Sequence, residues 1–313
     1  MSNSKKDEIC EEVIFDDNAR AAEIYGPNNL HLSLIEQALN VTMRNRGNEL
    51  TICGDGVDVK KVQAVLRQLW EQQDAGLTID KQEIATALRF LQKQRPQSDM
   101  GLVFRTKKKT ISPRTPMQAQ FMQNLKENEL CFAVGPAGTG KTWLAVARAI
   151  EAMLDGEVER IILSRPALEA GEKLGFLPGD MQEKVDPYLR PLYDAMHDML
   201  PKDFIERKMA SGEIEIAPLA FMRGRSLKNA FVILDEAQNT TEGQMKMFLT
   251  RLGEGSYMAV TGDLSQVDLP KGVESGLRIA TQKLHNIQSV AVTVFDESDI
   301  VRHDLVARIL KAW

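Results

Sequence analysis

At 313 residues, with 43% hydrophobic and 27% charged side chains, the chain has the make-up of a globular protein with a substantial core. That composition excludes wholesale disorder, a collagen-like fibre and a disulfide-stapled miniprotein, and the length suggests about two domains. The longest apolar runs, such as Phe231 to Leu234 and Val290 to Phe295, fall far short of the roughly 18 residues of a membrane helix. The N-terminus lacks an apolar signal segment, so the expected setting is cytoplasmic, with no membrane. Cys10, Cys53 and Cys131 stand alone without metal-ligand spacing, which reads as three free thiols in a reducing compartment.

The net charge of −5 hides an asymmetry. Between Lys93 and Thr115 seven basic residues face one acid, Asp99, so this strip carries +6 and the rest of the chain −11. Such a strip suits either a polyanion or a solvated linker.

In chain order, residues 1–17 are polar and acidic and read as a flexible tail. Leu30, Leu34, Ile35 and Ala38 recur at helical spacing. Val41 to Arg46 and Glu49 to Cys53 then read as a hairpin turning at Gly47 and Asn48. Val62, Val65, Leu66 and Leu69 mark a further helix. Asp80 caps the next, with Glu83 placed for a capping box and Ile84, Ala87, Leu88 and Leu91 as its apolar stripe. Residues 18–95 thus form a small α+β domain. Residues 96–115 read as a basic linker or strand, closed by Ser112-Pro-Arg-Thr-Pro116.

From residue 116 to 313 the pattern changes. Leu130–Val134, Ile161–Ser164, Ile214–Ala217, Phe231–Leu234, Tyr257–Thr261 and Ser289–Phe295 are continuous apolar runs separated by helical segments. Strands buried on both faces, as in a helix-covered parallel sheet, read this way. The class is α/β.

Gly135, Pro136, Ala137, Gly138, Thr139 and Gly140, followed by Lys141 and Thr142, match the P-loop pattern. They follow an apolar strand and open a helix, the context the motif requires. Backbone N–H groups of such a loop cradle phosphates, Lys141 reaches the outer ones and Thr142 ligates Mg²⁺. Asp235 and Glu236 end the Phe231–Leu234 run. There a carboxylate holds the metal (Asp235) and its neighbour activates water (Glu236). Thr261, Asp263 and Gln266 end another strand and suit a γ-phosphate sensor or, more simply, a capped turn. Arg165, Arg223, Arg225, Arg302 and Arg308 are arginines of the kind a transferring phosphoryl group needs, and spacing does not rank them.

These motifs resemble the PhoH-like P-loop ATPases, relatives of superfamily 1 helicases. The resemblance runs from about Ser112 to the C-terminus. It is carried by Ser112-Pro-Arg-Thr-Pro-Met-Gln118, the P-loop, Ser164 to Gly179, Leu234-Asp-Glu-Ala-Gln238, Thr261-Gly-Asp-Leu-Ser-Gln266 and Ser298-Asp-Ile-Val-Arg-His303. It implies a single RecA-like core, Gln118 reading adenine and hence ATP, Gln266 sensing the γ-phosphate, and an RNA-related role beside an endoribonuclease of ribosomal RNA maturation. The N-terminal domain resembles the KH-like region of the longer members. Gly26-Pro-Asn-Asn29 stands where a GXXG clamp would lie, leaving RNA binding and protein docking both open.

Too little chain follows Lys141 for a second core, so a ring, expected to be a hexamer, would supply Arg302 in trans. The Pro187 to Ser226 segment offers Tyr188, Arg190, Tyr193, Arg223 and Arg225 as a nucleic-acid path. Within it Leu189, Leu192, Met196 and Met199 equally fit a helix packed on the core. The leading reading is an RNA-stimulated, Mg²⁺-dependent ATPase or helicase, a nucleic-acid motor acting in RNA processing. The alternative is a nucleotide-switched adaptor that docks a nuclease or ribosome without unwinding.

Overall fold

The computed structural model describes residues 8–92, 102–166 and 181–301. The chain divides into two units. The first takes in the N-terminal part to Val103 together with Ser112–Pro116, and the second comprises Phe104–Ile111 and the remainder from Met117.

In the first unit, β1 (Glu8–Ile14), β2 (Thr42–Arg46) and β3 (Glu49–Asp55) form an antiparallel sheet in the order β1-β3-β2. Four helices accompany it: α1 (Asn18–Tyr25), α2 (Leu30–Leu39), α3 (Gly56–Asp74) and α4 (Lys81–Gln92). Asp17 caps α1 by accepting from the backbone of Ala19 and Arg20. Leu50 and Ile52 of β3 pack with Val62, Val65, Leu66 and Leu69 of α3 and with Ile84 and Ala87 of α4.

Three expectations for this unit are corrected. Residues 8–14 are not a tail, because their backbone pairs along the whole of β3, from Glu8 opposite Asp55 to Ile14 opposite Glu49. The cysteines are not all free. Cys10 and Cys53 face each other across that ladder, Cα atoms 4.1 Å apart, and form a disulfide, while Cys131 is a buried free thiol that burial pushes up to about 12. Asp80 does cap α4, but Glu83 does not complete a box. Its side chain is buried, which raises its carboxyl, and it meets Gln72 and the charge of Arg114 instead.

The second unit is built on a six-stranded, all-parallel sheet. Its strands are β6 (Leu130–Val134), β7 (Arg160–Arg165), β8 (Ile214–Pro218), β9 (Ala230–Leu234), β10 (Tyr257–Gly262) and β11 (Val290–Val294), in the order β11-β6-β10-β9-β7-β8. All six apolar runs become strands. Every residue of β6 and β9 is buried, because helices cover both faces. Phe132, Val232 and Val260 pack beneath α9 (Glu242–Leu249) and α10 (Gly276–Leu284), through Met245, Phe248, Leu277 and Ala280. Successive strand residues point to opposite sides, and α6 (Lys141–Leu154) lies against β7, β9 and β10. The other helices are α5 (Pro116–Glu127), α7 (Met181–Met199) and α8 (Lys202–Ala210). No helix among the described residues is long and apolar enough to cross a membrane.

The basic run is a hairpin of the second unit and not a free linker: β4 (Phe104–Arg105) pairs with β5 (Thr110–Ile111). Phe104 and Ile111 are buried. Lys108 donates to the carbonyl of His197 at 2.6 Å, Lys109 to Asp198 at 2.6 Å, and Lys107 lies 3.8 Å from the Phe204 ring centroid. Ammonium groups near a helix C-terminus meet unsatisfied carbonyls and the negative end of its dipole, and Lys108 and Lys109 sit at the end of α7. Leu189, Leu192, Met196 and Met199 of α7 are buried, which is the core-packing reading of that segment.

Phe132 is fully buried in the middle of β6. Phe132→Ala is expected to cost about 3–5 kcal/mol, measured as a lower midpoint in denaturant unfolding. A loss below about 1 kcal/mol would contradict this packing.

Candidate nucleotide site

The P-loop leaves the C-terminal end of β6 and enters α6. Gly135 has φ +151°, and a Cβ there would lie 2.5 Å from the carbonyl oxygen of Phe295, so the loop can start here only without a side chain. Gly140 is left-handed (φ 82°) just before the first helical residue, Lys141. Thr139 is fully buried and its hydroxyl donates to the Pro136 carbonyl, while Ala137 and Gly138 stand exposed at the tip. Lys141 folds into the loop and donates to the carbonyls of Gly135 and Pro136, both at 2.7 Å. Burial pushes its ammonium below the ordinary lysine value, and the carboxylates of Asp263, Asp235 and Glu236 pull it partly back.

The loop strand and the acid strand are not neighbours: β10 runs between β6 and β9. Asp235 crosses this gap. Its Oδ1 accepts from Thr142 Oγ1 at 2.6 Å and from Thr261 Oγ1, at the end of β10, at 2.7 Å. Its backbone N–H donates to the Ser164 carbonyl of β7. A hydroxyl and a carboxylate this close are hard oxygen donors, and Mg²⁺ is commonly held by one or two carboxylates together with phosphates and water. Thr142 and Asp235 therefore fit the metal expected of them.

Glu236 follows in a left-handed conformation (φ 53°, ψ 36°). Its Oε1 pairs with Arg165 Nη2 at 2.9 Å, and its Oε2 accepts from Gln238 Nε2 at 2.5 Å. Gln238 is fully buried. Its Oε1 accepts from the Asp263 N–H, and its Nε2 also approaches the Gln266 carbonyl. Gly262 makes room for it, since a Cβ there would lie 2.7 Å from that Oε1. Asp263 is a capped-turn residue, accepting from the backbone and hydroxyl of Ser265, and its other oxygen takes the Ala137 N–H at 3.2 Å and the Gln266 amide at 3.0 Å.

Lys141, Thr142, Asp235, Glu236, Arg165 and Gln266 share the wall of one cavity of ≈ 570 Å³. Gln118 is buried behind the loop, where its Nε2 donates to the Thr139 carbonyl at 2.9 Å. Its amide nitrogen thus supports the P-loop. Among the candidate arginines, Arg225 makes a two-point pair with Glu215 and Arg223 is exposed, whereas Arg165 enters the cavity. Arg302 and Arg308, and most of the Ser164 to Gly179 motif, lie outside the described residues.

Sequence reasoning gave no role to Gln238, although it lies two residues past the acid pair. It also missed the far wall of the cavity, where α7 contributes Asp194 and Asp198 opposite Trp143. Trp143 Nε1 donates to Asp198 Oδ2 at 2.9 Å, while Lys109 holds the other oxygen. Burial alone would raise the Asp198 carboxyl. The bonds from Lys109 and Trp143, with the charges of Lys109 and Lys108, outweigh that and hold it below the usual carboxylate range. An acid on the polar side of an amphipathic helix carries no signal in the sequence.

A profile of the PhoH-like protein family matches residues 110–313, the span that contains the whole of this cavity. The chain belongs to the PhoH-like family. It is 47% identical over 298 residues to a PhoH-like protein of Bacillus subtilis, covering 94% of this chain and 93% of that one. A PhoH-like protein of Synechocystis is 46% identical over 86% of this chain and 83% of its own. Protein PhoH of Escherichia coli is 47% identical over 65% of this chain and 58% of its own length. Likeness to solved structures is slight: the Pif1 helicase of Candida albicans matches at 15% identity and a TM-score of 0.33, over 62% of this chain and 41% of that one. This supports no inference.

The Lys109–Asp198 pair is substantially exposed, and such pairs contribute about 0–1 kcal/mol. In a PhoH-like chain carrying Trp70→Phe and Trp313→Phe, Asp198→Ala is expected to shift Trp143 emission to longer wavelength with little change in unfolding midpoint. Unchanged emission would mean that the indole is not anchored there.

Proposed function

We propose that this protein is a Mg²⁺-dependent ATP hydrolase with a RecA-like core, whose turnover is stimulated by single-stranded RNA. The observation that carries the hydrolase reading is the hydrogen bond of Thr142 in the P-loop to Asp235, with Glu236 in the same cavity wall. In this reading the loop N–H groups and Lys141 bind the phosphates, and Thr142 and Asp235 hold the metal. When bound, Mg²⁺ withdraws charge from the β- and γ-phosphates. Glu236 orients and polarises the attacking water, and Gln266, on the same polar web as Glu236 through Gln238, reports the γ-phosphate. Gln118 acts by holding Thr139 in place.

ATP as the nucleotide, RNA as the stimulating polymer, the KH-like character of the first unit and an endoribonuclease of ribosomal RNA maturation as partner rest on the family resemblance. So does a hexameric ring that brings Arg302 to a neighbouring site.

The test is phosphate release from Mg²⁺-ATP with and without single-stranded RNA. Stimulation by RNA is expected, with turnover falling about 10²–10⁴-fold in Glu236→Gln. Turnover indifferent to RNA would overturn the motor reading and favour the nucleotide-switched adaptor. Equal turnover in Glu236→Gln would remove that residue from the chemistry.

A further inference from the structure

We infer that Arg165 is a γ-phosphate-binding residue acting within its own subunit, and that Glu236 occupies it until ATP arrives. This rests on the ATP reading of the cavity.

The sheet register brings the two residues together. Ser164 pairs with Leu234 across β7 and β9, and the Asp235 N–H bonds to the Ser164 carbonyl at 2.9 Å, so Arg165 and Glu236 leave adjacent strand ends side by side. Both line the cavity that holds Lys141 and Thr142. The Arg165 side chain is 21% exposed and that of Glu236 34%, and both line the cavity wall. Among the described residues Arg165 is the arginine in that wall.

The pair also engages the carboxylate proposed to act on water, and the guanidinium draws charge from it. Arg165 holds Oε1 and Gln238 holds Oε2, so both oxygens already accept bonds before a water arrives. The arrangement is kept in a left-handed backbone at Glu236. Non-glycine residues adopt that conformation routinely only when the surroundings over-determine it, and here the surrounding grip is Gln238 together with Arg165.

A γ-phosphate offers a guanidinium more negative charge, and more oxygens in a matching geometry, than a single carboxylate does. Incoming ATP therefore takes Arg165 from Glu236, and the same exchange frees Glu236 Oε1 for water. ADP lacks the group that drives the exchange, so the ion pair re-forms after phosphate leaves. Glu236 thereby meets a water with its full charge only when a triphosphate has drawn Arg165 away.

The experiment is calorimetric binding of ATPγS and of ADP, each with Mg²⁺, to the wild-type chain and to Arg165→Ala, Arg165→Lys, Glu236→Gln and the double variant Arg165→Ala with Glu236→Gln. Circular dichroism checks that each is folded. Arg165→Ala is expected to weaken ATPγS about tenfold or more while leaving ADP within about twofold, with partial recovery in Arg165→Lys. Glu236→Gln is expected to tighten ATPγS and not ADP, and that gain should vanish when Arg165 is also removed. Equal weakening of both nucleotides by Arg165→Ala, or a Glu236→Gln gain that persists without Arg165, would overturn the inference. Failure of the wild type to bind either nucleotide would overturn the ATP reading beneath it.

Discussion

The carboxylate of Asp235 is 7% exposed and takes hydrogen bonds from Thr142 and Thr261 on the same oxygen. A buried charge is tolerated only when paired or hydrogen-bonded, so this one demands that three chain segments end at one place. The strand order meets that demand. With β10 set between β6 and β9, Thr261 fills the gap across which Asp235 must reach the first turn of α6. Losing either hydroxyl would remove one of the two bonds that hold this buried acid.

Around that acid, polar side chains are tied to one another more than to solvent. Gln238 joins Glu236, Asp263 and Gln266 through a single buried amide, and Gly262 gives it space. Asp263 in turn touches the N–H of Ala137 at the exposed tip of the P-loop. These bonds couple the end of β10 both to Glu236 and to the P-loop. The Trp143–Asp198–Lys109 chain extends this coupling to a basic hairpin.

Much of this was legible in the residues. Phe231 to Leu234 and its five counterparts are mostly apolar runs because helices cover the sheet, and Gly135 to Thr142 carries its own structural context. The acid pair was assigned correctly to a strand end, though nothing local reveals that β10 intervenes, because strand order is set by pairing between distant segments. The first strand was lost for a related reason. Glu8 to Ile14 carries three glutamates among its seven residues, and only its ladder with β3 and the cross-strand Cys10–Cys53 bond, formed 43 residues apart, make it a strand. Arg165 could be named but not ranked, since its distinction is a register contact with Glu236. The basic run could be read as linker or strand, and charge composition does not show that Lys108 and Lys109 are held by the end of α7.

The most direct measurement of the central claim is an experimental structure of the protein with Mg²⁺ and a non-hydrolysable ATP analogue. The account predicts the metal between Thr142 Oγ1 and Asp235, with the outer phosphates inside the Gly135–Thr142 loop. Nucleotide bound elsewhere, or an Asp235 that keeps both hydroxyl bonds while the metal takes other ligands, would contradict it.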